Sequence, residues 1–331
     1  MQQVVSYLDS LSLGEKQVHK NLVIFPLLGS DEWEPDYLTL DQALKQGSVR
    51  VTEINRGGSV PELKLINQSE LKVLVVEGEE LVGAKQNRIV NTTMIIPAKT
   101  EVLIPVSCVE QGRWSYDSPE FRESERMMHA SLRGMHKEQV SGSLREGRGY
   151  QSDQSQIWND ISEKSVRMNV VSDTGAMGQI YESYEDKLAE YLDQFKALDN
   201  QQAAVFSING RIVSLEGFGA PDTFIRFFEK LVRSYALDAL DIMRRTGSKA
   251  PSPERVGAFV ASMSKCREEK HSAIGSGTHI SFESNRQAGS ALVEDDRVLH
   301  LSVFKRSENP GGRGTGFQRF SLRQRRLFHL E

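Results

Sequence analysis

The residues best suited to chemistry lie between Val73 and Trp114, in the run VLVVEGEELVGAKQNRIVNTTMIIPAKTEVLIPVSCVEQGRW. Alternate residues of an extended strand share a face, so Glu77 aligns with Glu79, Gln86 with Arg88, and Cys108 with Glu110. Stacking those faces across neighbouring strands would gather Glu79, Gln86, Arg88, Cys108 and Glu110 on one concave surface, with Arg113 and Trp114 at its rim. Arginine offers a planar fork to phosphate or carboxylate, glutamine reads an amide or hydroxyl, and tryptophan stacks on a base. Glu79 or Glu110 would bind ribose-type hydroxyls or activate water as the catalytic carboxylate. Gln86, Arg88, Arg113 and Trp114 are the ligand-binding candidates, with Lys85 and Cys108 as secondary ones.

A plainer account stands beside this one. Buried charges often pair with each other, and Glu79–Arg88 or Glu110–Arg113 ion pairs would fix strand register without binding anything. Cys108 has no histidine within twenty residues on either side. A reactive thiolate needs a base or a positive field, so this cysteine reads first as a small apolar filler. Glu77 and Glu79 could share a divalent metal, but no Asp-rich or His-rich loop completes a site, and no cofactor is identifiable. His129 and His136, seven apart, lack a third ligand and read as a solvated helix face. The stretch Gly217-Phe218-Gly219-Ala220-Pro221 lacks the lysine and glycine spacing of a phosphate loop, so it reads as a turn and a helix start.

The elements that must hold these residues follow from periodicity. Leu22–Leu28 is a strand, and Pro26 argues for an edge position or a bulge. Thr39 or Asp41 caps a short helix that Gly47 stops. From Ser48 short runs with Gly, Pro and Asn punctuation follow one another: 49–54, 63–66, 73–76, 88–90, 94–96 and 102–106. That spacing suggests a β-sandwich or barrel. Residues 117–156 are polar and read as a mobile linker, in part helical over 121–140. Ile180, Tyr184, Leu188, Tyr191, Leu192 and Phe195 recur at helical spacing, facing a core or a partner. Asn209-Gly210 between two apolar runs predicts a tight hairpin. Helices over 222–245 and from Pro253 to about Lys265 follow, then a meander over 278–304. The expected class is α+β: a β-sandwich or barrel-like domain over 1–116, the linker 117–156, an α+β domain over 157–306, and a Gly/Arg-rich tail over 307–331.

With 331 residues, 38% hydrophobic and 26% charged, the chain has the balance of a globular protein with a sizeable core. A net charge of -4 disfavours nucleic acid as a partner. The arginines of the tail read as lying on the protein's own acidic surface. No apolar run is long enough to span a bilayer, and the N-terminus lacks the layout of a secretory signal. Two cysteines cannot make a disulfide framework, so a cytoplasmic location is expected.

At the same residues the chain resembles a bacterial family, the ADP-ribosylglycohydrolase- and rhodanese-phosphatase-superfamily-associated protein domain. The resemblance rests on Gly78-Glu79, Leu81 and Gly83, on Lys85-Gln86-Asn87-Arg88, on Pro97, and on Cys108-Val109-Glu110-Gln111-Gly112-Arg113-Trp114. Weaker support comes from Ser172-Asp173-Thr174-Gly175-Ala176-Met177. The family's name implies association with proteins that handle ADP-ribose and related NAD-derived metabolites. The expectation is therefore a small-molecule, nucleotide-like ligand, bound and, if the chain is an enzyme, hydrolysed. The alternative is a non-enzymatic interaction or scaffold protein that uses the amphipathic helix and the basic segments to hold a protein partner.

Overall fold

Alternating burial after Ser48 is explained by ring closure. In the computed structural model, which describes residues 1–29, 33–55, 57–243 and 249–306, six strands close into a barrel. Around the ring they run Thr100–Cys108, Glu62–Asn67, Val49–Thr52, Phe121–Met127, Glu79–Gly83 and Arg88–Val90. Every neighbouring pair is antiparallel. Val49, Val51, Leu63, Leu65, Leu81, Val90, Ile104, Val106 and Phe121 are buried together, while Arg50 between two of them is exposed. This is the period of two that a barrel wall imposes. Of the two expected β architectures the barrel is the one present, within an α+β fold.

Beside the barrel lies a three-stranded sheet of Met94–Ile96, Lys72–Val75 and Tyr37–Thr39. Thr39 caps the helix Leu40–Lys45, its hydroxyl accepting from the Gln42 N–H while the Gln42 side chain returns to the Thr39 N–H.

The largest element is a nine-stranded antiparallel sheet. Its order is Ser12–Leu13, Leu22–Leu28, Gln201–Ile208, Arg211–Phe218, Arg297–Lys305, Gln287–Glu294, Thr278–Glu283 and Arg267–Ser272, with Gln17–His19 also paired to Leu22–Leu28. Asn209 and Gly210 both take positive φ, 50° and 73°, in the hairpin their sequence predicted. Phe206, Ile24 and Phe218 pack one face against the helix Pro221–Asp241. Phe25, Val205 and Leu301 pack the other against the helices Gln2–Asp9 and Pro253–Ala261.

Several expectations change here. Leu22–Leu28 is flanked on both sides rather than lying at an edge. Pro26 is tolerated because its carbonyl, and hence its missing N–H, faces Gly14, in the gap between the two short flanking strands. Leu22–Leu28 thus pairs with residues 201–208, across the boundary expected at 116. Residues 117–156 do not form a polar linker: they supply the barrel strand Phe121–Met127 and the helix Ala130–Arg145, whose buried side chains include Arg133, His136 and Lys137. His129 and His136 are buried, not solvated. The helices Met177–Ser183 and Glu185–Leu192 turn their apolar residues into the chain's own core. The tail over 307–331, and the expected end of the 222–245 helix beyond Met243, lie outside the described residues.

Helix Ala130–Arg145 joins barrel to sheet through polar contacts. Arg133 donates to Glu216 at 2.7 Å and to Ser234 at 3.0 Å, and the Tyr235 hydroxyl donates to the same Glu216 oxygen at 2.6 Å. Lys137 pairs with Glu77 and donates to Ser290 at 2.7 Å, and Ser302 donates to Glu77 at 2.5 Å. Thr93 and His300 share a bond of 2.8 Å, Asn91 and His136 one of 3.0 Å. Gly78, at φ 82°, lets Arg133 pass, since a Cβ there would meet Arg133 Cδ at 2.6 Å. Buried networks of this kind fix one arrangement of the parts they join, although Glu216 Oε2 has no hydrogen-bond partner among the described residues.

Candidate functional site

The same alternation that lines the barrel sets up its mouth. Val49 and Val51 point inward, so Glu53, two residues on, does as well, and it is buried. Ile104 and Val106 lead in the same way to Cys108, which lies opposite Arg88 in the ladder. One end of an apolar barrel therefore holds a carboxylate, a thiol and a guanidinium.

Arg88 is the centre of the cluster and is 0% exposed. Its Nη1 donates to Gln86 Oε1 and to Cys108 Sγ, both at 2.8 Å. Its Nη2 is 3.7 Å from Glu53 Oε1. Nε and Nη2 of Arg88 and Oε2 of Glu53 have no hydrogen-bond partner among the described residues. Above them the Trp114 ring lies 5.4 Å from the guanidinium carbon, half in solvent at 45% exposure. Lys85 reaches the Gly57 carbonyl at 2.8 Å, with its ammonium 5.3 Å from the Trp114 ring and 5.2 Å from the half-exposed Tyr116 ring. Burial pushes the Cys108 thiol up to about 11 although Arg88 pulls the other way, so it is a protonated filler at neutral pH.

Arg113 behaves differently from Arg88. Its Nη1 donates to the carbonyls of Ala84 at 2.7 Å and Ser115 at 3.1 Å; its Nη2 donates to Asn87 Oδ1 at 3.1 Å and to Glu110 Oε2 at 2.7 Å. Glu110 also accepts from the Asn87 N–H at 3.1 Å. Burial opposes its charge, but Arg113 and that N–H hold its carboxyl below the usual range. These two residues clasp the turn 84–87 to the segment carrying Trp114. Ala84, in the clasped turn, is held at φ 42°, an unfavourable backbone state for a residue with a side chain.

Gln86, Arg88, Cys108, Lys85 and Trp114 thus come together, and Glu110 with Arg113 braces them. Glu79 does not join. A turn at Glu77-Gly78 breaks the strand alternation, and Glu79 instead accepts from the Val76 N–H at 2.8 Å and Lys230 at 3.3 Å. Its carboxyl is raised by burial, against the pull of Lys230. The Glu79–Arg88 pair is replaced by Glu53 and Arg88, whereas the Glu110–Arg113 pair is present. Glu53, Asn87 and Tyr116 were missed. The signal for Glu53 was in the sequence: an acid in phase with Val49 and Val51 on an apolar face.

Among the described residues no group of three or more His, Cys, Asp or Glu side chains is placed to hold a metal ion, and no helix is long and apolar enough to cross a membrane. No curated protein matches the chain, and no solved structure does. The family model of the ARG and Rhodanese-Phosphatase-superfamily-associated Protein domain matches residues 10–304. A match over most of the chain places the protein in that family.

Proposed function

We propose that the barrel mouth binds a phosphate-bearing, nucleotide-like ligand, with ADP-ribose- and NAD-derived compounds as its class. The observation that carries this reading is Arg88: a fully buried guanidinium whose Nε–Nη2 edge, the fork that matches an oxyanion, has no hydrogen-bond partner among the described residues and faces protein charge at Glu53, 3.7 Å from Nη2. Trp114 and Tyr116, half exposed and adjacent, supply ring faces for a base. The family's association with ADP-ribose-related proteins supports the ligand class. Barrel mouths are common ligand sites.

The geometry favours binding over chemistry. The two carboxylates expected to activate water, Glu79 and Glu110, are both engaged by protein donors, and Glu53, beside Arg88, has an oxygen without a hydrogen-bond partner among the described residues. Hydrolysis is the further step to be examined by product analysis. The scaffold alternative is weakened because the face of the amphipathic helices is filled by the protein's own core.

Thermal denaturation with ADP-ribose, NAD and AMP tests the reading. A ligand at about 100 times its Kd should stabilise the fold by about 2.7 kcal/mol, and Arg88→Lys, which removes the fork but keeps the charge, should abolish the rise while leaving a native circular dichroism spectrum. Absence of any rise at millimolar ligand, or an equal rise in the variant, overturns it.

A further inference from the structure

The unpartnered atoms at the barrel mouth are of two kinds. Arg88 Nε and Nη2 are donors, and Glu53 Oε2 is an acceptor, all three buried. Glu53 Oε1 stands 3.7 Å from Arg88 Nη2 and accepts from the Lys85 N–H at 3.4 Å, which fixes where Oε2 points. Gly58 lets the chain pack close to Oε2, since a Cβ there would lie 3.3 Å from that oxygen, 3.2 Å from the Trp114 ring and 3.0 Å from Lys85 Cδ. A fully deprotonated oxyanion with no hydrogens would satisfy the fork but leave Glu53 unpaired and repelled at close range. A group that accepts twice and donates once satisfies all three atoms.

We infer that Glu53 is a specificity-determining residue that accepts a hydrogen bond from a ligand hydroxyl next to the phosphate held by Arg88, so that the site selects phosphate esters of sugars and polyols over sulfate and dianionic alkyl phosphates. This rests on the ligand reading above and narrows it. The sugar hydroxyl donates to Glu53 Oε2, and the phosphate takes the Nε–Nη2 edge. Sulfate brings no such donor, and an alkyl phosphate, whose second pKa is about 6, brings none at pH 8, where the titrations are run.

The test compares glycerol 3-phosphate with propyl phosphate, esters of equal charge that differ in hydroxyl groups, by isothermal titration of the full chain alongside ADP-ribose. The hydroxylated ester should bind about tenfold tighter or more, the scale of one hydrogen bond to a charged group. Glu53→Gln should bring the ratio toward one and strengthen propyl phosphate binding, while Glu53→Asp keeps a preference. A ratio near one in the unaltered protein overturns the assignment even if the variants fail to fold. If ADP-ribose binds and the ratio is one, only the role of Glu53 falls; if neither ester nor ADP-ribose binds, the ligand reading falls with it.

Discussion

Two arginines of similar sequence context behave as opposites, and the difference lies in which donors are committed. Arg113 gives both terminal nitrogens to protein acceptors, whereas the Nε–Nη2 edge of Arg88 makes no hydrogen bond to the described residues. Sequence spacing brought Gln86, Arg88 and Cys108 onto one face correctly in geometric terms because all three sit in or next to barrel strands. It misplaced Glu79 because alternation assumes an unbroken strand, and Gly78 at φ 82° breaks it. It passed over Glu53 because the alternating run there was read as structure alone. Cys108 gives a direct check. With its thiol pushed up to about 11 by burial, it should resist alkylation in native protein at pH 8 and react only on unfolding. Fast labelling of Cys108 in the folded state, seen by peptide mass mapping, would contradict this.

Among the elements, helix Ala130–Arg145 was the least legible. Its sequence, ASLRGMHKEQVSGSLR, is polar enough to suggest solvent, yet Arg133, His136 and Lys137 are buried. Periodicity of apolar residues finds helices that dock through hydrophobic faces; it cannot find one that docks through ion pairs. The hairpin at Asn209-Gly210 was legible because turn chemistry is local, and the barrel because its alternation is. The docking pairs make a quantitative expectation. Lys137→Met leaves Glu77 buried without its ammonium and should lower stability by about 3–5 kcal/mol, whereas Lys137→Met with Glu77→Gln should cost clearly less. Equal losses in urea unfolding of the single and double variants would show that the two side chains do not act as a pair.

At the scale of the whole molecule, the polar seam ties stability to pH. Burial holds His129 and His136 down to about 4, and His279 and His300 down to about 3, against an ordinary value of 6.5. They are neutral when folded and take up protons when unfolded, so their contribution is complete above pH 6.5 and is lost as pH falls toward 4 and below. Glu77 acts in the same sense between 4.5 and about 2: burial opposes its charge, but Lys137 and His300 hold it down. Glu79 and Glu80, raised by burial, act in the opposite sense. The melting temperature should therefore fall steadily from pH 7 to pH 4.5; a flat or rising profile would mean that the histidines are not neutral in the fold. The same seam, with Leu22–Leu28 seated in the sheet beside Gln201–Ile208, makes the parts interdependent. Residues 1–116 expressed alone should show no cooperative unfolding transition, whereas the chain through Arg306 should show a single one by calorimetry. The pairing of Leu22–Leu28 with Gln201–Ile208 was not legible because composition reports what a segment contains and not which distant strand completes it.

That long-range pairing also has a history on the ribosome. Leu22–Leu28, all but its last residue buried in the finished fold, is made well before the strand that lies against it, which ends at Ile208. At about 5–20 residues per second, roughly 10 to 40 s separate the synthesis of the two. Throughout that interval one apolar strand edge waits without its mate. Newly made chains would thus depend on a chaperone to shield it.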